Sequence, residues 1–359
     1  MTETPGGAET PFIQQSDFER ITQIVSTEFQ LEESLLEHGI PTYYLKQPQQ
    51  TKQQFLRLLK NLETINMIAF LRKMDRRVVL RVVPKPQVKP SNLLLNLVLF
   101  LATIATTFVT GYMLSPSMIN PLIGGTTFTI AIIAVLGTHE MGHKLTADRK
   151  GMAATPPYFI PGPPPFGTFG AVIMQKSLPP NKDSLFDIGA DGPIAGFIIA
   201  TIVSIIGLTL LVPSPPPEGS TTLQIPFIWT YLAQLIQRLN LMPHAAENEV
   251  LLLHPIAFAG WVGMIVTMLN LLPAGMLDGG HVARSIMGDK ARMVLSALSI
   301  IYLILEGFYP MAILVLFMSM AKHPGPLDDV SSLSRSRKLM ALVLVAIFLL
   351  CTFPQPPNL

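Results

Sequence analysis

The chain has 359 residues, of which 49% are hydrophobic and only 13% charged, with a formal net charge of +2. A soluble domain carries about 25% charged residues, so this composition excludes an ordinary soluble protein and implies several membrane spans. The small net charge gives no reason to expect nucleic acid as a partner, and the single cysteine, Cys351, excludes a disulfide within the chain.

Residues 1–12 are acidic and polar without an apolar core, so they read as a disordered tail and not as a signal or transit peptide. Over 13–84 the charge density is ordinary, and helix and strand signals alternate. Phe18, Ile21, Ile24 and Val25 share a helical face, 40–45 favours a strand, and 53–62 is amphipathic. Residues 68–71 and 78–83 read as strands joined by the charged turn 72–77. The expectation is a small cytosolic α+β domain, followed by a stiff basic linker at 85–92. The sequence does not choose between a folded extension and a regulatory role for it.

Uncharged apolar segments then follow at 93–114, 128–146, 193–212, 256–272, 294–305, 307–320 and, shortest, 339–352. Asp191-Gly192-Pro193 reads as an N-cap and N1 proline opening the third. The fold expected is a polytopic α-helical membrane protein of six or seven spans. Its core runs over 93–322 and includes a loop at 155–182; 323–359 is a carboxy-terminal segment with the last candidate span. Lys144, Arg149, Lys150, Lys176 and Lys182 follow the second segment, and Arg284, Lys290 and Arg292 follow the fourth. Lys322, Arg335, Arg337 and Lys338 follow the sixth, whereas the opposite loops hold only Arg238. The positive-inside rule therefore puts the amino terminus and the end of the second segment in the cytosol, with the cell membrane the expected location. In the outer loop, 225–241 reads as an interfacial amphipathic helix with Trp229 and Tyr231 at the headgroups.

At the cytosolic end of the second segment lies Thr138-His139-Glu140-Met141-Gly142-His143. The H-E-x-x-H spacing sets two imidazoles one helical turn apart, ~40° out of register, so both can reach one Zn²⁺. Glu140 projects beside them, where a general base is needed. The plain alternative is a chance pair of buried histidines, but ionisable groups inside a span are costly and point to function. A catalytic zinc needs a third ligand and an open position. Asp187, Asp191, Asp278 and His281 are the candidates near the same face. Asp278 follows Pro273, which breaks the fourth helix, and Gly275, Gly279 and Gly280, which permit tight turns, so its carboxylate is freed at the depth of His143.

Over about residues 90–320 the chain resembles the site-2 proteases, a family of intramembrane zinc metalloproteases, in its archaeal, cyanobacterial and plant-plastid branch. The resemblance rests on the His139–His143 motif and on Asn270-Leu271-Leu272-Pro273-Ala274-Gly275-Met276-Leu277-Asp278-Gly279-Gly280. Gly192-Pro193-Ile194-Ala195-Gly196 and Phe166-Gly167-Thr168-Phe169-Gly170-Ala171-Val172-Ile173 strengthen it. It implies one zinc per chain, held by His139, His143 and Asp278, with Glu140 as general base and Asn270 near the scissile carbonyl. For Asp278 the alternative is a helix-capping carboxylate, and for Asn270 an interhelical hydrogen bond.

A helical substrate must unwind before cleavage. Residues 156–175 are too rich in proline and glycine for a helix, and Phe169, Gly170, Ala171 and Val172 suit an edge strand that binds an extended substrate. The alternative there is a plain membrane-associated loop. The expected function is hydrolysis of a peptide bond in a membrane-anchored protein, near the cytosolic face, in regulated intramembrane proteolysis. The partners are that substrate and the lipid bilayer; the sequence leaves open whether the chain forms a homo-oligomer. A proteolytically inactive scaffold or chaperone on the same fold is the competing reading, and a zinc transporter the third.

Overall fold

The computed structural model describes residues 15–88, 90–216, 223–320 and 323–353, and the tail expected over 1–12 lies outside them. The chain is mostly helical, and its residues gather into two compact units.

The first unit is a four-stranded antiparallel sheet with two helices, α1 (Gln15–Glu28) and α2 (Lys52–Glu63). Its strands are β1 (Leu31–Glu37), β2 (Ile40–Leu45), β3 (Met67–Met74) and β4 (Arg77–Pro84), in the order β1-β2-β4-β3. Both hairpins close through two residues of positive φ, His38-Gly39 and Asp75-Arg76, the backbone a tight hairpin turn requires. Ile21, Val25, Phe55, Leu58 and Leu62 of the helices are buried, as are Tyr43, Leu71 and Leu80 of the sheet. Strand β1 was not expected, because Leu31-Glu32-Glu33-Ser34-Leu35-Leu36-Glu37 is made of good helix formers; pairing with β2 overrides that preference. The unit also takes in Pro179–Lys182 and Gly325–Ser332. Leu71 N–H donates to the Leu327 carbonyl (2.9 Å) and Asp329 N–H to the Leu71 carbonyl (3.1 Å), which covers the outer edge of β3.

Among the described residues the second unit contains three helices long and apolar enough to cross a membrane: α3 (Leu93–Met113), α4 (Pro121–Arg149) and α5 (Lys182–Thr209). Between α4 and α5 a hairpin of β5 (Tyr158–Pro161) and β6 (Thr168–Val172) runs along α3. Asn96 donates to the Pro157 carbonyl and Thr106 to the Gly167 carbonyl (2.7 Å). Those anchors are separated by about 15 Å of helix rise, so the hairpin follows about half the length of the apolar helix α3. A short ribbon of β7 (Val212–Ser214) and β8 (Val250–Leu252) flanks α6 (Phe227–Arg238). Then come α7 (Pro255–Leu271), α8 (Asp278–Met287), α9 (Asp289–Leu305), α10 (Tyr309–Met320) and α11 (Arg335–Cys351).

Three details differ from expectation. Helix α5 starts at Lys182 and continues through Pro193, so Asp191 is not its cap. Pro193 cannot donate to the Gly189 carbonyl, but a buried bundle re-satisfies such groups, and Asp191 accepts instead from Thr146 Oγ1. Trp229 does not face the headgroups: it is 2% exposed and donates to Ser204 Oγ at 3.0 Å, while Tyr231 is 60% exposed. An indole that finds a buried acceptor packs inward. The last helix begins at Arg335 and not at 339, because its first turn carries the charges that a hydropathy reading discards.

Candidate metal centre

The centre is built from α4, α5, α7 and α8. On α4 the i, i+4 spacing puts His139 and His143 on one face with ring centroids 4.9 Å apart, both buried. Helix α7 ends at Leu271, and Leu272–Leu277 turns the chain back toward α4 before α8 begins at Asp278. Gly275 fixes that turn with a φ of 53°, its N–H donating to Ser296 Oγ (3.1 Å) and its carbonyl accepting from Arg292 Nη1 (3.1 Å). Asp278 Oδ2 thereby lies 3.1 Å from His139 Nε2 and 3.3 Å from His143 Nε2. The Asp278 carboxylate is turned to the histidines and caps no helix.

The ligand atoms of His139, Glu140 and His143 lie within 4.8 Å of one another. His143 Nδ1 is 2.7 Å from the Ile188 carbonyl, which can only accept, so Nδ1 carries a proton and Nε2 is the nitrogen left to meet a metal. Nε2 and an Asp278 carboxylate oxygen face one another at 3.3 Å, where a cation between them would be bound by both. Bonds of about 2.0–2.1 Å in a tetrahedral zinc site put ligand atoms about 3.3 Å apart, close to the spacings here. The residues present therefore fit zinc, and the Ile188 carbonyl is the kind of outer partner that orients a ligating histidine.

Helix α5 supplies the remaining wall. Gly192 and Gly196 face the two imidazoles so closely that a methyl group at Gly192 would meet His143 Nε2 at 2.1 Å, and one at Gly196 would meet His139 Nδ1 at 2.9 Å. Asn270 Nδ2, near the end of α7, is 3.4 Å from His139 Nε2. Strand β6, carrying Phe169, Gly170, Ala171 and Val172, packs beside α4, the helix that carries both histidines. Phe169 and Val172 are exposed.

The other sequence candidates for the third ligand are engaged elsewhere. Asp187 is paired with Arg337 and Lys150, Asp191 with Thr146, and His281 Nδ1 with His323 Nε2 at 2.8 Å. The sequence reading missed the Ile188 carbonyl, which carries no residue signature, and it missed His323 and Arg337. The spacing Gly192-x-x-x-Gly196 was visible, but its partner face was not.

The family model described as Peptidase family M50 matches residues 127–310, just over half of the chain. The chain is 32% identical over 231 residues to a protein of Oryza sativa subsp. japonica named probable zinc metalloprotease EGY1, chloroplastic; the match covers 62% of this chain and 39% of that one. It is 34% identical over 177 residues to probable zinc metalloprotease EGY2, chloroplastic, of Arabidopsis thaliana, covering 49% of this chain and 31% of the relative. With probable zinc metalloprotease EGY3, chloroplastic, of Oryza sativa subsp. indica the identity is 28% over 286 residues, covering 71% and 47%. The chain thus spans less than half the length of each of these relatives. No solved structure matches it. With its H-E-x-x-H helix inside the matched region, the chain belongs to peptidase family M50, the family of the site-2 proteases.

Proposed function

We propose that the protein is an intramembrane zinc metalloprotease that cleaves a membrane-anchored protein substrate close to the face where its lysines and arginines collect. The observation that supports this reading is the convergence of His139, His143 and Asp278 on one point, with Glu140 beside them, on and against helices long and apolar enough to cross a membrane. All four positions that a silent scaffold would be free to lose are present. In this reading α3, α4, α5, α7, α9, α10 and α11 supply six or seven crossings, and the amino terminus and the centre lie on the cytosolic side of the cell membrane.

His139, His143 and Asp278 would hold the metal, one ion per chain. When bound, zinc lowers the pKa of a water toward 7 and polarises the scissile carbonyl as a Lewis acid. Glu140, whose carboxylate lies within 4.8 Å of the ligand atoms of His139 and His143, accepts the proton of the attacking water and passes it to the leaving amine. The Asn270 amide directs N–H donors to the side of His139 where the oxyanion develops. An unwound substrate adds to β6 as a further strand, which satisfies backbone groups that would otherwise lie unpaired in the bilayer. Release of a domain in regulated intramembrane proteolysis is the physiological outcome proposed.

The test uses the purified full chain in liposomes with a single-span test substrate, cleavage sites being mapped by mass spectrometry. Cleavage within or at the edge of the span, abolished by a zinc chelator and restored by zinc, is expected; chelator-insensitive cleavage contradicts the reading. Val172→Pro removes a backbone donor from β6 and should slow turnover about tenfold, the worth of roughly one hydrogen bond, with zinc content unchanged. Wild-type turnover in Val172→Pro would refute the strand-addition role.

A further inference from the structure

We propose that Arg337 is a positioning residue for the metal ligand His143, acting through Asp187 and the Ile188 carbonyl; the proposal rests on the zinc reading above. Arg337 lies beyond the region matched by the family model, on the first turn of α11. Its guanidinium grips Asp187 with both arms, Nε to Oδ1 at 2.7 Å and Nη2 to Oδ2 at 2.7 Å. A third bond runs from Nη1 to Asp183 Oδ2 at 3.1 Å. Such planar two-point pairs fix orientation as well as distance.

Neighbouring groups complete the clamp. Ser334 donates its N–H (2.9 Å) and its hydroxyl (2.6 Å) to Asp183, and Lys150 of α4 reaches Asp187 at 2.8 Å. Asp183, Asp187 and Asp191 recur every four residues, so they share one face of α5. Each is tied to α11 or α4, and Ile188 falls between the second and the third.

Ile188 directly follows Asp187, and its carbonyl is the acceptor for His143 Nδ1–H at 2.7 Å. Pro193 weakens the α5 ladder at this level by removing the donor for the Gly189 carbonyl. The local backbone therefore depends on outside contacts to hold its register, and the Arg337 fork is the nearest of them. A shift of α5 here rotates the His143 ring and turns Nε2 away from Asp278. Loss of an outer partner of this kind costs about 10–100-fold in metal affinity.

The experiment measures zinc affinity by chelator competition, and the absorption spectrum of the cobalt(II)-loaded protein, on the full chain in detergent. Arg337→Ala should bind zinc about 10–100-fold more weakly and show an altered cobalt spectrum. Arg337→Lys, which keeps the charge but not the fork, should fall between Arg337→Ala and wild type. Lys338→Ala, an exposed charge on the same turn, should match wild type. Wild-type affinity and spectrum in both Arg337 variants overturn the proposal, as does an equal loss in Lys338→Ala. If Arg337→Ala fails to fold by circular dichroism, Arg337→Lys decides alone, and wild-type behaviour in it overturns the proposal. If wild type and His143→Ala bind zinc equally, the zinc reading itself has failed and this proposal falls with it.

Discussion

Gly192→Ala will strip the centre of zinc and abolish proteolysis, although it adds a single methyl group. That methyl would lie 2.1 Å from His143 Nε2, 2.3 Å from Cε1 and 2.6 Å from Cδ2, which is the edge of the ring that faces Asp278. Neither side can yield easily. His143 is held by the Ile188 carbonyl on one side and Asp278 on the other, and α5 is tied to its neighbours through Asp183, Asp187 and Asp191. Overpacking of this kind in a buried site costs about 1–3 kcal/mol in stability. The larger effect is on the ligand, whose displacement should weaken zinc binding by about 100-fold or more. Gly196→Ala, with its methyl 2.9 Å from His139 Nδ1, should be milder, at about tenfold. Zinc per chain after dialysis is the readout; a full equivalent retained by Gly192→Ala would show that α5 does not press on the ligand.

Asp278→Asn will lose zinc as completely as Asp278→Ala. The comparison separates the two roles a carboxylate has at this position. Asparagine caps a helix about as well as aspartate, so a capping role survives the first substitution and fails only in the second. A ligand role fails in both, because the amide brings no negative charge to the metal. Oδ2 lies 3.1 and 3.3 Å from the two imidazole nitrogens, and α8 takes no side-chain hydrogen bond at its cap, so the ligand outcome is expected. Affinity should drop by about 100-fold or more, with the helical content of the detergent-solubilised protein unchanged. Retention of zinc by Asp278→Asn would remove Asp278 from the ligand set.

Local rules made the parts of this molecule that depend on local rules legible. The four-residue spacing of His139 and His143, the helix break at Pro273 and the strand preference of 169–174 can all be read along the chain. What escaped depends on partners far away in sequence. Strand β1 has a helical composition and is held by its pairing with β2. Pro193 looks like a helix start and sits mid-helix because the packed bundle outweighs the lost hydrogen bond. Trp229 looks interfacial until Ser204 is seen to accept its N–H. The centre shows the same division: the H-E-x-x-H helix is a sequence pattern, whereas the Ile188 carbonyl and the Arg337 fork exist only once α5 and α11 are packed.

The most direct test of the account compares wild type with Glu140→Gln in one liposome assay, with a transmembrane substrate and zinc content measured on the same samples. The substitution leaves the ligands His139, His143 and Asp278 intact and removes only the proton acceptor. Equal zinc in the two proteins, with cleavage reduced about 10²–10⁴-fold in Glu140→Gln, is the predicted result. Equal cleavage by both, or none by zinc-loaded wild type, would contradict it.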